Sequence, residues 1–117
     1  MYSEVTLTID GKDYVAALDF RSLSRLEKQM GKSITRFIFD MSDNELSISD
    51  LAMVVHAAIE CGSGKKGCPD PHKIGQWVFD TGLVIAQSKI IPLINPLLYG
   101  HTDDTETEAG APPDPKA

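Results

Sequence analysis

Four side chains of metal-ligating type bracket one glycine-rich stretch: His56, Cys61, Cys68 and His72. Their spacing is H-x4-C-x6-C-x3-H. Thiolates and imidazoles are the ligands that structural zinc favours in tetrahedral sites. Such sites usually bring cysteines in C-x2-4-C pairs, because a knuckle turn must aim both thiolates at one ion. This spacing has no knuckle. The expectation is two helix-end thiols and two surface histidines with no metal; a zinc site on these four residues stands as the alternative.

Other catalytic chemistries find less. A cysteine nucleophile needs an activating neighbour, and only Lys65 and Lys66 lie nearby in sequence. The stretch Gly62-Ser63-Gly64-Lys65-Lys66-Gly67 is superficially like a phosphate cradle. It lacks the G-x4-GK-[ST] spacing and follows no strand, so a flexible linker is expected. Asp40, Asp43 and Glu45 surround a loop and are explained by solvation. No constellation points to an enzyme or to a cofactor.

Charge narrows the partners. The 117 residues carry 17 acidic and 11 basic side chains, a net of −6. Five of those acids (Asp103, Asp104, Glu106, Glu108, Asp114) and one base (Lys116) fall in residues 101–117. That leaves 12 acids against 10 bases for the rest. Nucleic-acid binding needs a dominant basic surface to displace counterions, so no nucleic-acid partner is expected. No membrane partner is expected either: Leu83–Tyr99 is the most apolar run, but Gln87, Ser88, Lys89, Pro92 and Pro96 interrupt it. The start MYSEVTLTID has no basic segment followed by an apolar one. The expected compartment is the cytoplasm, with both thiols free.

What remains is surface. Arg21, Arg25, Lys28 and Lys32 have offsets that place them on one helix face. A solvated face is the ordinary meaning of such a stripe; the functional one has it meet an acidic partner. Phe37, Ile38 and Phe39 form an apolar run. In the last helix, Leu83, Val84, Ile85, Ile90, Ile91, Leu93, Ile94, Leu97 and Leu98 spread over more than one face. Surplus apolar surface of this kind marks either a partner interface or a central core helix. The partner-binding candidates are Arg21, Arg25, Lys28, Phe37, Ile38, Phe39, Ile90, Ile91 and Ile94.

These residues need elements to hold them. Val5, Leu7 and Ile9 alternate with polar residues, and Tyr14, Ala16 and Leu18 resume the alternation after Asp10-Gly11. That pattern predicts a β-hairpin over 4–18. Asp19 caps a helix whose apolar stripe is Phe20, Leu23, Leu26 and Met30, with Gly31 at its end. A short helix follows near 33–41. Ile48-Ser49 reads as the start of a third helix, burying Leu51, Val54, Val55, Ala58 and Ile59. Residues 61–71 read as a flexible connection, and Asp70-Pro71 opens a fourth helix with Ile74, Trp77 and Val78 inward. Pro92 and Pro96 should bend or end the last one. The fold expected is α+β: one domain over 1–100, a hairpin on a bundle of four to five helices over about 20–98, followed by a disordered acidic tail at 101–117.

The opening EVTLTIDGKDYVAALDFRSLSRLEKQMGKSI resembles the start of small phage tail assembly chaperones of the gene-transfer-agent type. The resemblance lies in a strand, the Asp10-Gly11 turn, a second strand, and a helix carrying Leu26-Glu27 and ending at Gly31. Ser49-Asp50-Leu51, a proline-containing loop and Thr81-Gly82-Leu83 continue it, over roughly residues 4–98. The cysteine-bearing loop departs from it. The resemblance implies a cytoplasmic assembly factor of a phage, prophage or gene transfer agent. Its partners would be the tape measure protein and the tail tube protein, held by non-covalent contacts. It leaves self-association open. Alternatives are a minor structural component kept in the tail, or a zinc-stabilised small regulator.

Overall fold

The alternation at the start of the chain folds as an antiparallel hairpin in the computed structural model, which describes residues 4–99. β1 (Glu4–Ile9) pairs with β2 (Lys12–Ala17), with Leu7 opposite Tyr14 and Ile9 opposite Lys12. Asp10 and Gly11 both have positive φ, 53° and 77°. That is the two-residue turn whose twist matches the strands it joins. Leu7, Ile9 and Ala16 are buried on one face, while Thr6, Thr8 and Asp13 face water on the other.

Among the described residues five helices follow: α1 (Phe20–Met30), α2 (Ile34–Ser42), α3 (Ile48–Ser63), α4 (Pro71–Thr81) and α5 (Leu83–Tyr99). This is the α+β arrangement read from the sequence. The acidic tail expected at 101–117 lies outside the described residues. Asp19 caps α1, its carboxylate accepting from the Ser22 amide at 2.8 Å. That hydrogen bond, foremost, holds the Asp19 carboxyl below its ordinary pKa. Gly31 ends α1 at φ 74°, its amide donating to the Glu27 carbonyl. Glu27 also reaches forward: its carboxylate accepts from the Ile34 amide at 2.8 Å, satisfying a free donor at the start of α2.

α3 is the centre. It touches β2, α1, α4 and α5, and Leu51, Val54, Val55, Ala58 and Ile59 are all buried. α5 packs on β1, α3 and α4 through Ala86, Ile90, Leu93 and Ile94. A salt bridge joins the α1–α2 turn to both following helices. Lys32 Nζ donates to Asp40 at 2.8 Å and to Asp50.

Four local expectations change. The cap of α3 is Ser47, two residues before the Ser49 that the staple-and-cap pattern suggests, and its hydroxyl accepts from the Asp50 amide at 3.1 Å. Asp70 stands at the N-cap of α4, but its side chain makes no capping bond; Pro71 and the Asp70 carbonyl begin the helix. Pro92 and Pro96 neither end α5 nor interrupt it. Each lacks the amide that would serve the carbonyl four residues back, and burial of the opposite face offsets that loss.

The fourth change concerns the glycine-rich stretch. Cys61, Gly62 and Ser63 belong to the last turn of α3, not to a linker. A Cβ on Gly62 would lie 2.4 Å from the Val15 carbonyl oxygen, so only glycine lets α3 meet β2 this closely. Ser63 uses that approach. Its hydroxyl accepts from the Val15 amide at 2.9 Å and donates to the Val15 carbonyl at 2.8 Å.

Among the described residues no single helix is long and apolar enough to cross a membrane. α4 and α5 pass such a test only as a pair, and they are bent by 115° at Gly82.

Candidate functional site

The outer face of α1 gathers the most unusual surface. Phe20, Arg21, Ser24, Arg25 and Lys28 line an open groove there. Phe20 is 85% exposed, although the apolar spacing of α1 predicts it in the core. Helical geometry explains the difference. Successive residues turn by about 100°, so each step of three falls about 60° short of a full turn. Leu26 is fully buried and marks the inward direction. Leu23 lies about 60° from it and Met30 about 40°, but Phe20, two such steps away, lies about 120° off. An i, i+3, i+6 series drifts off a face that an i, i+4, i+7 series holds.

The cations expected on this face are there. Arg21, Arg25 and Lys28 are exposed. Arg25 also approaches Glu60 of α3 at 3.8 Å, over a small cleft lined by Ser22, Gln29 and His56. Lys32 departs from the stripe. It is held between Asp40 and Asp50, and those hydrogen bonds, with Asp40 the larger influence, raise its pKa above the ordinary lysine value. It is a structural cation, and the groove is carried by the other three.

The apolar candidates divide. Phe37 is wholly buried, Ile38 half-buried and Phe39 55% exposed. Ile90 and Ile94 are core residues, while Ile91 is partly exposed. Phe37, Ile90 and Ile94 are therefore corrected from partner-binding to core. Three adjacent residues on a helix span about 200°, so they cannot share one face. The same rule identifies Phe79, which periodicity overlooked, and picks Val84 and Ile85 out of the apolar run of the last helix. In Trp77-Val78-Phe79 and Leu83-Val84-Ile85, the outward members are Phe79 at 69% exposure, Val84 at 74% and Ile85. These three lie within one seven-residue stretch, on either side of the bend at Gly82. All three are exposed apolar side chains near the α4–α5 corner.

The metal-ligating side chains do not converge. Among the described residues no three His, Cys, Asp or Glu side chains are placed to hold one ion. His72 is exposed on the first turn of α4, and His56 lies along α3 by the cleft. Cys68 turns inward, its thiol directed at the carbonyls of Pro69 at 3.5 Å and His56 at 3.8 Å. Burial, assisted by the Glu60 carboxylate, raises its pKa. A thiol so placed stays protonated at neutral pH and is a poor nucleophile. Lys65 and Lys66 are exposed in the loop that Gly67 closes, where an added Cβ would lie 2.8 Å from the Ser63 carbonyl oxygen.

Searches of this chain against protein-family models, curated proteins and solved structures found no match.

Proposed function

We propose that this chain is a phage tail assembly chaperone, acting in the cytoplasm by non-covalent contacts with the tape measure protein and assisting assembly of the tail tube. The observation that carries the reading is Phe20, a nearly fully exposed aromatic set among three exposed cations on α1. Aromatic and arginine side chains are the residues that dominate binding energy at protein interfaces. An amphipathic helix with an acidic flank fits this surface: its apolar stripe meets Phe20 and its carboxylates meet Arg21, Arg25 and Lys28. Phe79, Val84 and Ile85 add apolar area for a long helical client.

The residues behind the family resemblance support the reading from another side. Asp10 and Gly11 make the turn, Leu26 is core, Glu27 ties α1 to α2, and Gly31 ends α1. All of them help to form the fold.

Co-expression with the tape measure protein of the same tail tests the reading. The expected result is that the long helical protein stays in solution and co-purifies with this chain, while mass spectrometry of finished tails lacks the chain. A tape measure protein left insoluble and unbound overturns it. Recovery of the chain in finished tails makes it a structural component instead.

A further inference from the structure

The two edges of the hairpin are treated differently. In an antiparallel pair, residues alternate between exchanging hydrogen bonds with each other and pointing those groups outward. The Val15 amide and carbonyl both point out of β2, since Ser63 engages them from the far side. Val15 is opposite Thr6, so the Thr6 amide and carbonyl point out of β1. By the same parity so do those of Glu4 and Thr8.

The β2 edge is closed at its middle. Gly62 brings α3 against it and the Ser63 hydroxyl takes the place of a neighbouring strand. Among the described residues the β1 edge has no equivalent. Among the described residues no helix or side chain bonds to the Thr6 or Thr8 backbone, and both residues are exposed. Glu4–Ile9 contains no proline, lysine or bulge, the devices that usually blunt an edge strand.

We propose that β1 pairs with β1 of a second copy, antiparallel about a two-fold axis at Thr6, joining two hairpins into one four-stranded sheet. The strand is complementary to itself in that register. Thr6 faces Thr6 of the second copy, Glu4 faces its Thr8, and Val5 faces its Leu7, so no like charges meet. β-Branched threonines line one face and apolar residues the other, which favours cross-strand packing. About six backbone hydrogen bonds form. A two-stranded ribbon is marginal by itself, and doubling it relieves that weakness.

The test is sedimentation of the full chain across a concentration series, with hydrogen exchange at both ends of the series. The expected result is a reversible dimer in which the Thr6 and Thr8 amides become protected as it forms. Thr6→Pro removes an outward amide and none from the hairpin, so it should give a monomer. Thr6→Lys, with its side chain on the solvent face, keeps the fold and sets like charges opposite each other. It should weaken the dimer about two- to fivefold, and an equimolar mixture with Thr6→Glu should restore it. A chain that stays monomeric at every concentration overturns the proposal. So does a dimer whose Thr6 amide exchanges freely, or one that Thr6→Lys leaves unchanged. Should Thr6→Pro fail to fold, the lysine and glutamate pair decides.

Discussion

α1 and α5 are opposites. α1 is short and charged, yet it holds an aromatic ring in water; α5 is apolar almost throughout, yet it buries Ala86, Ile90, Leu93 and Ile94 along one line. Hydrophobicity alone would assign the interface to α5. The packing instead leaves the ring of Phe20 on α1 uncovered, because a residue's direction relative to the neighbouring helix decides whether it is covered. α5 keeps its own exposed residues, Val84, Ile85 and Ile91, off that line.

Truncations measure the contrast most strongly. Phe37→Ala empties a fully buried aromatic site and should cost about 3–5 kcal/mol of stability; Ile90→Ala should cost about 2–5 kcal/mol. Phe20→Ala removes a ring of similar size and should stay within about 0.5 kcal/mol of the parent. Denaturant titration gives all three. A large loss from Phe20→Ala would erase the contrast.

The junction of α3 with β2 comes next. Gly62→Ala forces a Cβ against the Val15 carbonyl and should cost roughly 1–3 kcal/mol. Ser63→Ala removes both hydrogen bonds to Val15 and should cost about 1 kcal/mol, since each is exposed. Thermal melts of the two variants check this order.

The titrations are smaller and have opposite signs. Asp19 has a depressed folded pKa, so its contribution is present above the unfolded value and lost as pH falls through the folded one. Asp19→Asn should flatten the acid limb of the stability profile. Lys32 has a raised folded pKa, so its contribution is full below the unfolded value and lost as pH rises through the folded one. Lys32→Met should flatten the alkaline limb. Stability profiles from pH 2 to pH 11 separate the two.

Much of the fold is legible in the sequence because it depends on short-range rules. Alternation gives the hairpin, Asp10-Gly11 gives its turn, and Asp19 and Gly31 bound α1. The misread positions depend on what lies across the core. Gly62 and Ser63 look like linker residues until β2 is placed beside them. Pro92 and Pro96 look like breaks until the opposite face of α5 is packed. Phe20 looks like core by spacing, and only the accumulated rotation from Leu26 moves it out. The cations of the candidate site were legible as a stripe, but Lys32 left it because Asp40 and Asp50 converge from two other helices. The exposed corner at Phe79, Val84 and Ile85 was legible only in the runs of three adjacent apolar residues.

The outer face of α1 is proposed to serve a partner and not the core. The direct measurement compares Phe20→Asp with the parent chain in two assays: thermal melting of the purified protein, and capture of the co-expressed tape measure protein. An unchanged melting midpoint with capture reduced at least about tenfold is the predicted result. A lowered midpoint, or capture equal to the parent's, would contradict it.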